Sequence, residues 1–420
     1  MKPKIEWGEK IELRNAPIEF KIMPMYVMYI YIIRQWIYGT QKMKNPFIYG
    51  EVVTGTDFTD RETELETIIR ELKAGQTIFL ISPRRYGKTS LIVNALDKLQ
   101  EEGFYTAYID LFKVSSFKGL LELYAEKVSR AAETKIGGFN RLVRDFFPNI
   151  RPKIVLTPDG SPSIEIDYDV KEKRASKLFD EVYEAPQRIA TKRNRNFIVV
   201  FDEFQEIATL NGEMIEKGMR ACFQHHDRVG YLFAGSRRHI ILEMVSDKRR
   251  AFYNMGKIMP LSKIPRDDFK AFIAAKFTKT GFSLEKGVLD EILDVTENYP
   301  YNVQFLCHEL WNKCLDRRRV TFDDISMTLN SILDGQSAVY VTIWNTLPLH
   351  QRRVLIAIAS SGAENIFSRD FIVDNDLGAA SSIQTSIKLL MKKEIVDRAD
   401  KTYYITDVFF KDWIRKEMVK

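Results

Sequence analysis

Thr77-Ile78-Phe79-Leu80-Ile81-Ser82-Pro83-Arg84-Arg85-Tyr86-Gly87-Lys88-Thr89-Ser90-Leu91-Ile92 is the stretch on which the fold turns. Thr77–Ser82 is a short apolar run bounded by turn formers, which predicts a buried strand. Thr89–Gln100 places Leu91, Ile92, Ala95, Leu96 and Leu99 at helical spacing, so a helix follows. Between them, Ser82–Thr89 matches the phosphate-loop pattern G-x-x-x-x-G-K-[ST] at every fixed position but the first, where Ser82 stands for glycine. Ser82, Pro83, Arg84, Arg85, Tyr86, Gly87, Lys88, Thr89 and Ser90 are therefore expected to curl around the phosphates of ATP. Gly87 would allow close approach, Lys88 would neutralise the β and γ oxygens, and the Thr89 hydroxyl would hold Mg²⁺. Lys88 is expected to be a solvated loop charge when no nucleotide is bound.

Working outward, the next informative run is Phe197-Ile198-Val199-Val200-Phe201-Asp202-Glu203. An apolar strand ending in Asp-Glu puts one carboxylate beside the metal and the next near the attacking water. Asp202 is expected to join Thr89 at Mg²⁺, and Glu203 to polarise water for attack on the γ-phosphate. An acidic pair after a strand is common as a helix cap; the preceding loop makes it specific. The adjacent glutamate favours hydrolysis over phosphoryl transfer to a metabolite.

Tyr105–Leu111, Gly230–Gly235 and Lys257–Leu261 are further strand candidates, with helices between most of them, starting with one at Asp60-Arg61-Glu62. That alternation predicts a parallel sheet covered on both faces. Lys153–Asp169 alternates about Pro158-Asp159-Gly160 and reads as a hairpin insertion. Beyond Leu261 the strands are expected to cease, giving a helical bundle over 262–334. From 335 the pattern restarts with helices around 338–347, 350–360, 368–375 and 379–393, two short β segments, and a closing helix Val408–Glu417: the order of a winged helix.

The 420 residues suggest two or three domains, and 45% hydrophobic with 29% charged residues is the composition of a soluble globular chain. The net charge of +6 permits an acidic partner without arguing for one. Cys222, Cys307 and Cys314 fit neither a disulfide framework nor a CxxC metal pattern, which suits a reducing cytoplasm. Ile22–Ile33 is interrupted by Pro24 and ended by Arg34, short of the roughly 20 apolar residues a bilayer span needs. Residues 1–46 are read as an extension whose order the sequence leaves open, with Met43 as an alternative start and no membrane anchor.

The chain resembles the archaeal-type P-loop ATPases of the STAND class (signal-transduction ATPases with numerous domains), close to the origin-recognition branch of AAA+ proteins. Arg84-Arg85-x-Gly87-Lys88-Thr89-Ser90-Leu91 carries the family's loop wording, and Phe58-x-x-Arg61-x-x-Glu64-Leu65 is similar to the motif that lies along the adenine. Tyr231–Arg238 is similar to the fourth strand, with Ser236 as the polar sensor of the γ-phosphate. Tyr299-Pro300-Tyr301 and Gln304-Phe305-Leu306-Cys307-His308 resemble the helical lid, where Glu297 and Asn298 stand for paired glycines. The resemblance implies Arg61 and Pro300 near the base, and Lys88, Glu203 and Ser236 as the catalytic set.

The expected architecture is an α/β P-loop domain (47–261), a helical lid (262–334) and a winged helix (335–420). The expected function is a slow or partner-stimulated ATP hydrolase acting as a switch. A DNA-binding ATPase of the origin-recognition or mobile-element kind is the alternative; a scaffold without turnover and a metabolic kinase rank below. Ser381–Lys393 would be the recognition helix, offering Gln384, Lys388, Lys392 and Lys393, with Lys401 in the wing. A protein partner is expected, DNA is left open, and so is an oligomer, because no arginine supplied by a neighbour can be assigned.

Overall fold

A computed structural model describes residues 44–55, 58, 61–133, 136–147, 152–156, 162–166, 181–362, 364–399 and 402–419. Most of the N-terminal extension, Asp60, the Pro158-Asp159-Gly160 turn and the Asp400-Lys401 wing tip lie outside the described residues. The first strands are β1 (Thr77–Ile81), β2 (Tyr105–Asp110), β3 (Pro152–Leu156), β4 (Pro162–Ile166), β5 (Phe197–Asp202), β6 (Val229–Gly235) and β7 (Lys257–Pro260). β3 and β4 pair antiparallel as the expected hairpin. The others form one parallel sheet in the order β2-β5-β6-β1-β7.

The strand pleat explains the layers. Ile78 and Leu80 face the helices α1 (Glu62–Lys73) and α2 (Lys88–Glu101), whereas Phe79 and Ile81 face the other way. On that second face lie α3 (Phe117–Ala132), α4 (Ile136–Phe146), α5 (Ala185–Arg193), α6 (Gly212–Phe223) and α7 (Arg238–Ser246). Phe233 of β6 stacks on Phe79 at 5.1 Å and on Phe201 at 5.2 Å, tying three strands through their rings. Because both faces are covered, β5 and β6 are buried along their whole length and read as apolar runs. All five strands point the same way, so their carboxyl ends converge on one edge, where ligands of such sheets bind.

The lid comprises α8 (Arg266–Lys279), β8 (Ser283–Leu284), α9 (Val288–Val295), α10 (Pro300–Lys313), β9 (Arg319–Val320) and α11 (Phe322–Asn345). Strands do not cease after Leu261: β8 and β9 form a two-residue parallel pair, too short to announce itself by alternation. Nor does a new helix begin after Gly335. The long α11 starts at a capping box of Thr321 and Asp324 and runs through. Ile332, Leu333, Tyr340 and Trp344 are buried on both sides of Gly335, and that packing outweighs the roughly 1 kcal/mol a mid-helix glycine costs.

The winged helix follows as α12 (Leu349–Ser361), α13 (Arg369–Asp374), α14 (Ala380–Lys392), the antiparallel pair β10 (Val396–Ala399) and β11 (Thr402–Ile405), and α15 (Val408–Met418). It shares one continuous apolar core with the lid. Phe305 meets Phe409 at 5.9 Å and Tyr340 meets Phe410 at 5.2 Å across the join. Phe47 belongs to the same core, against Phe277 at 4.6 Å, so the chain passes through the lid before it enters the sheet domain. Among the described residues no helix is long and apolar enough to cross a membrane.

Candidate nucleotide site

β1 hands over directly to the loop. The Ser82 N–H donates to the Gly235 carbonyl at 3.1 Å, prolonging the ladder, and its buried hydroxyl donates to the Pro83 carbonyl at 2.9 Å. Ser82 thus sits behind the loop and does not line the cavity that Pro83–Ser90 line. That cavity is about 650 Å³. Arg85 (φ 71°) and Gly87 (φ 83°) take left-handed backbone conformations that curl the loop into the first turn of α2. The helix N-terminus and its unpaired N–H groups border the cavity, a ready anion site.

The acidic pair closes the opposite wall. Lys88, 7% exposed, is held by Asp202 Oδ1 at 2.6 Å and Glu203 Oε1 at 2.7 Å. It is therefore not the solvated charge expected: the end of β5 brings two adjacent carboxylates onto its ammonium, which offsets part of their charge. Thr89 Oγ1 donates to Asp202 Oδ2 at 3.3 Å, and Tyr108 donates its hydroxyl to the same oxygen at 2.7 Å. Burial, then the neighbouring Asp202 charge, raises the Tyr108 pKa, so this phenol stays a donor.

Glu203 takes a left-handed backbone conformation (φ 51°), a strained choice for a glutamate that turns its carboxylate back toward Lys88. Its Oε2 accepts from Ser236 Oγ at 2.8 Å and from Gln205 Nε2 at 2.5 Å. Burial alone would push the Glu203 carboxyl up. The Lys88 charge, with hydrogen bonds from Lys88, Gln205 and Ser236, outweighs it and holds the group below its ordinary value.

The other end of the cavity is bounded by the lid. Pro300 opens α10 and Tyr301 follows it on the cavity wall, with Tyr49 and Phe58 nearby. Arg61 is buried but reaches the cavity wall; its guanidinium donates to the Tyr86 carbonyl at 3.3 Å and to Glu64 at 2.8 Å, bracing the loop. Ser90 turns its hydroxyl away from the loop to accept the Val53 N–H at 3.0 Å, and Asn94 donates to the Val53 carbonyl at 2.9 Å. Glu297 (φ 49°) and Asn298 (φ 58°), at the expected glycine pair, keep the left-handed backbone that glycine would adopt without cost.

The remaining loop residues face a third element. Arg84 pairs with Glu394 at 2.6 Å, and Arg237, beside Ser236, pairs with the other oxygen of the same carboxylate at 2.6 Å. Arg85 pairs with Asp407 at 2.8 Å and lies 4.8 Å over the Tyr301 ring. Glu394 and Asp407 belong to the winged helix, so three arginines around the phosphate loop are held by that domain.

The structure brings Lys88, Thr89, Asp202, Glu203 and Ser236 together at one strand edge. Sequence reasoning missed Tyr108, Gln205, Glu394 and Asp407. Tyr108 carried a signal, a hydroxyl two residues before the end of an edge strand at the ligand-binding side of the sheet. Cys222, Cys307 and Cys314 are buried, and among the described residues no three His, Cys, Asp or Glu side chains gather as a metal group.

Comparison with known proteins agrees with this arrangement. Residues 58–302 match the family described as an ATPase domain predominantly from Archaea, and residues 338–416 match a winged helix domain. A Walker-type ATPase of Pyrococcus abyssi is similar in fold, with a TM-score of 0.61 at 17% identity over 88% of this chain and 99% of that one. The ORC2 protein of Aeropyrum pernix, in ADPNP–ADP complexes, gives 0.55 at 13% identity over 90% and 99%. The curated proteins give no match. The chain belongs to the ATPase domain family found predominantly in Archaea, with a winged helix after its lid.

Proposed function

We propose that this chain binds ATP with Mg²⁺ in the cavity, hydrolyses it slowly, and uses the nucleotide to set the position of its winged helix. It would be a cytoplasmic switch in signalling or regulation, like the STAND ATPases it resembles, with turnover stimulated by a protein partner. The observation that carries the reading is Glu394: one winged-helix carboxylate holds both Arg84 of the phosphate loop and Arg237 beside Ser236. Phosphates entering the loop compete with that carboxylate for the same guanidinium groups, which couples the site to the domain.

The chain's own groups divide the work. Pro83–Thr89 present backbone donors to the phosphates, and Lys88 exchanges a carboxylate partner for a phosphate oxygen. Glu203 accepts the proton of the attacking water, and Ser236 donates to the γ-phosphate. Thr89 and Asp202 would hold Mg²⁺, and their hard oxygens, 3.3 Å apart, suit it. Bound there, the ion would offset charge on the transferred phosphoryl group.

Calorimetry of ATP binding by wild type, Lys88→Met and Lys88→Ala tests the site. Loss of a charge-assisted bond predicts affinity lower by roughly 10–10²-fold. Equal affinity in all three would sink the assignment.

A second reading has one observation behind it. Gln384, Lys388 and Lys392 are exposed on one side of α14, and with Arg237 and His239 they edge an otherwise mostly apolar cleft of about 730 Å³; a row of exposed lysines on this helix suits the phosphates of duplex DNA. Duplex affinity falling steeply with salt, and flattened by Lys388→Ala with Lys392→Ala, would favour it.

A further inference from the structure

Gln205 lies two residues beyond Glu203, in the short turn after β5, and is 1% exposed. Its carboxamide spends every bond on the two residues assigned to the γ-phosphate end of the site. Nε2 donates to Glu203 Oε2 at 2.5 Å and to Ser236 Oγ at 3.4 Å, while Oε1 accepts from the Ser236 N–H at 3.3 Å. Ser236 Oγ closes the ring by donating to Glu203 Oε2 at 2.8 Å. The neighbouring residue has made room for it: a Cβ at Gly235 would overlap Gln205 Oε1. Lys88 holds only the other carboxylate oxygen, Oε1.

We propose that Gln205 is a positioning residue that fixes Glu203 and ties it to Ser236. This inference rests on the hydrolase reading above. Lys88 and Ser236 both have phosphate as a competing partner, and Gln205 does not. When they turn to phosphate, the carboxamide remains the one fixed donor among the described residues on Glu203 Oε2, leaving Oε1 aimed at water. The strained backbone of Glu203 makes such an anchor necessary, because without it the side chain has several rotamers of similar energy. Ser236 is read by the same amide through its backbone, so a shift of that strand end on meeting phosphate is passed to the glutamate.

The test uses the full chain with Gln205→Met, which keeps the volume and removes the bonds, alone and combined with Glu203→Gln. Phosphate release should fall about 10²-fold in kcat, the scale expected for a misplaced reacting group, with ATP affinity by calorimetry changed less than about 3-fold. In the Glu203→Gln background the same substitution should cost no further rate, because Gln205 acts only through Glu203. Independently of turnover, denaturant unfolding of Gln205→Met, Ser236→Ala and the double variant should be non-additive. A rate loss that adds fully to that of Glu203→Gln, or that follows lost ATP affinity, would overturn the proposal and leave a structural glutamine. Unchanged kcat would overturn it too. Lack of any Lys88-dependent phosphate release from wild type would instead remove the hydrolase reading, and this inference with it.

Discussion

Neutralising Glu394 as Glu394→Gln should loosen the winged helix from the phosphate loop without unfolding either. The side chain is 20% exposed and its partners are more open, Arg84 at 57% and Arg237 at 33%. Ion pairs this wet contribute about 0.2–1 kcal/mol each, and two that share one carboxylate lie toward the upper end, giving about 1–2 kcal/mol together. That is a factor of roughly 5–30 in the docking equilibrium. The lid should move with the winged helix, because their common core far outweighs the polar contacts to the loop. Apolar contact with the sheet domain persists through Val408 and the Tyr86–Tyr299 ring pair at 5.3 Å, so docking is weakened and not abolished. Energy transfer between dyes on Gln100→Cys and Glu417→Cys reads the equilibrium, and the three native cysteines are buried and should label poorly. The undocked population should rise at low salt in Glu394→Gln and converge with wild type near 1 M salt, where screening is almost complete. ATP should shift wild type in the same direction and the variant less. Identical populations for both proteins at low salt would show that apolar contact alone sets docking, and the proposed coupling would lose its physical basis.

Other expectations concern the site and the core. Glu203→Gln should keep ATP affinity and lower phosphate release by roughly 10²–10⁴, the worth of a positioned base; Asp202→Asn should instead weaken Mg²⁺-dependent binding, which calorimetry with and without the metal separates. Tyr108→Phe removes the 2.7 Å bond that orients Asp202, so the Mg²⁺ concentration for half-maximal turnover should rise about 10-fold, as for other groups behind a metal ligand; an unmoved midpoint would make the phenol a packing group only. His226 is buried, which lowers its pKa against the opposing pull of Glu184, so the folded protein resists protonating it. The unfolded chain takes that proton near its ordinary value of about 6.5, so stability is highest above that pH and declines as pH falls toward the folded value. Urea melts of wild type and His226→Gln between pH 7.5 and 5 should diverge in slope, and parallel curves would assign the acid loss elsewhere.

The sheet and the Lys88–Asp202–Glu203 cluster at its edge were legible because their signals are local. A buried parallel strand must be apolar along its length, and the residue that ends it meets the ligand, so Phe197–Glu203 declares both the strand and the two carboxylates. The loop is equally local, since Gly87, Lys88 and Thr89 have their positions fixed by backbone geometry within a few residues. Helix ends beyond Leu261 were harder: Gly335 looks like a stop, yet tertiary packing of Ile332, Tyr340 and Trp344 carries α11 through it. Lys88 shows the same limit at the site itself, since a loop lysine is solvated until a strand 115 residues away supplies its partners.

The arginines mark where sequence reading fails for a physical reason and not for want of motifs. Arg84, Arg85 and Arg237 each have a long, flexible side chain whose partner depends on which acceptor the fold brings within reach, and the acceptors lie far along the chain. Glu394 is 157 residues from Arg237, and Asp407 is 322 from Arg85. Neither acid sits in a recognisable pattern; one follows the last turn of α14 and the other caps α15, accepting the Phe409 and Phe410 N–H groups. Asp407 therefore does two things at once: it starts the closing helix and holds a phosphate-loop arginine. That double use gives the coupling a geometric basis. A displacement of Arg85 by phosphate would act on the first turn of α15, whose Phe409, Phe410 and Trp413 lie in the core shared with the lid. On the proposed reading, the path from nucleotide to winged helix would be one ion pair and one helix turn long, and would need no relay through the sheet.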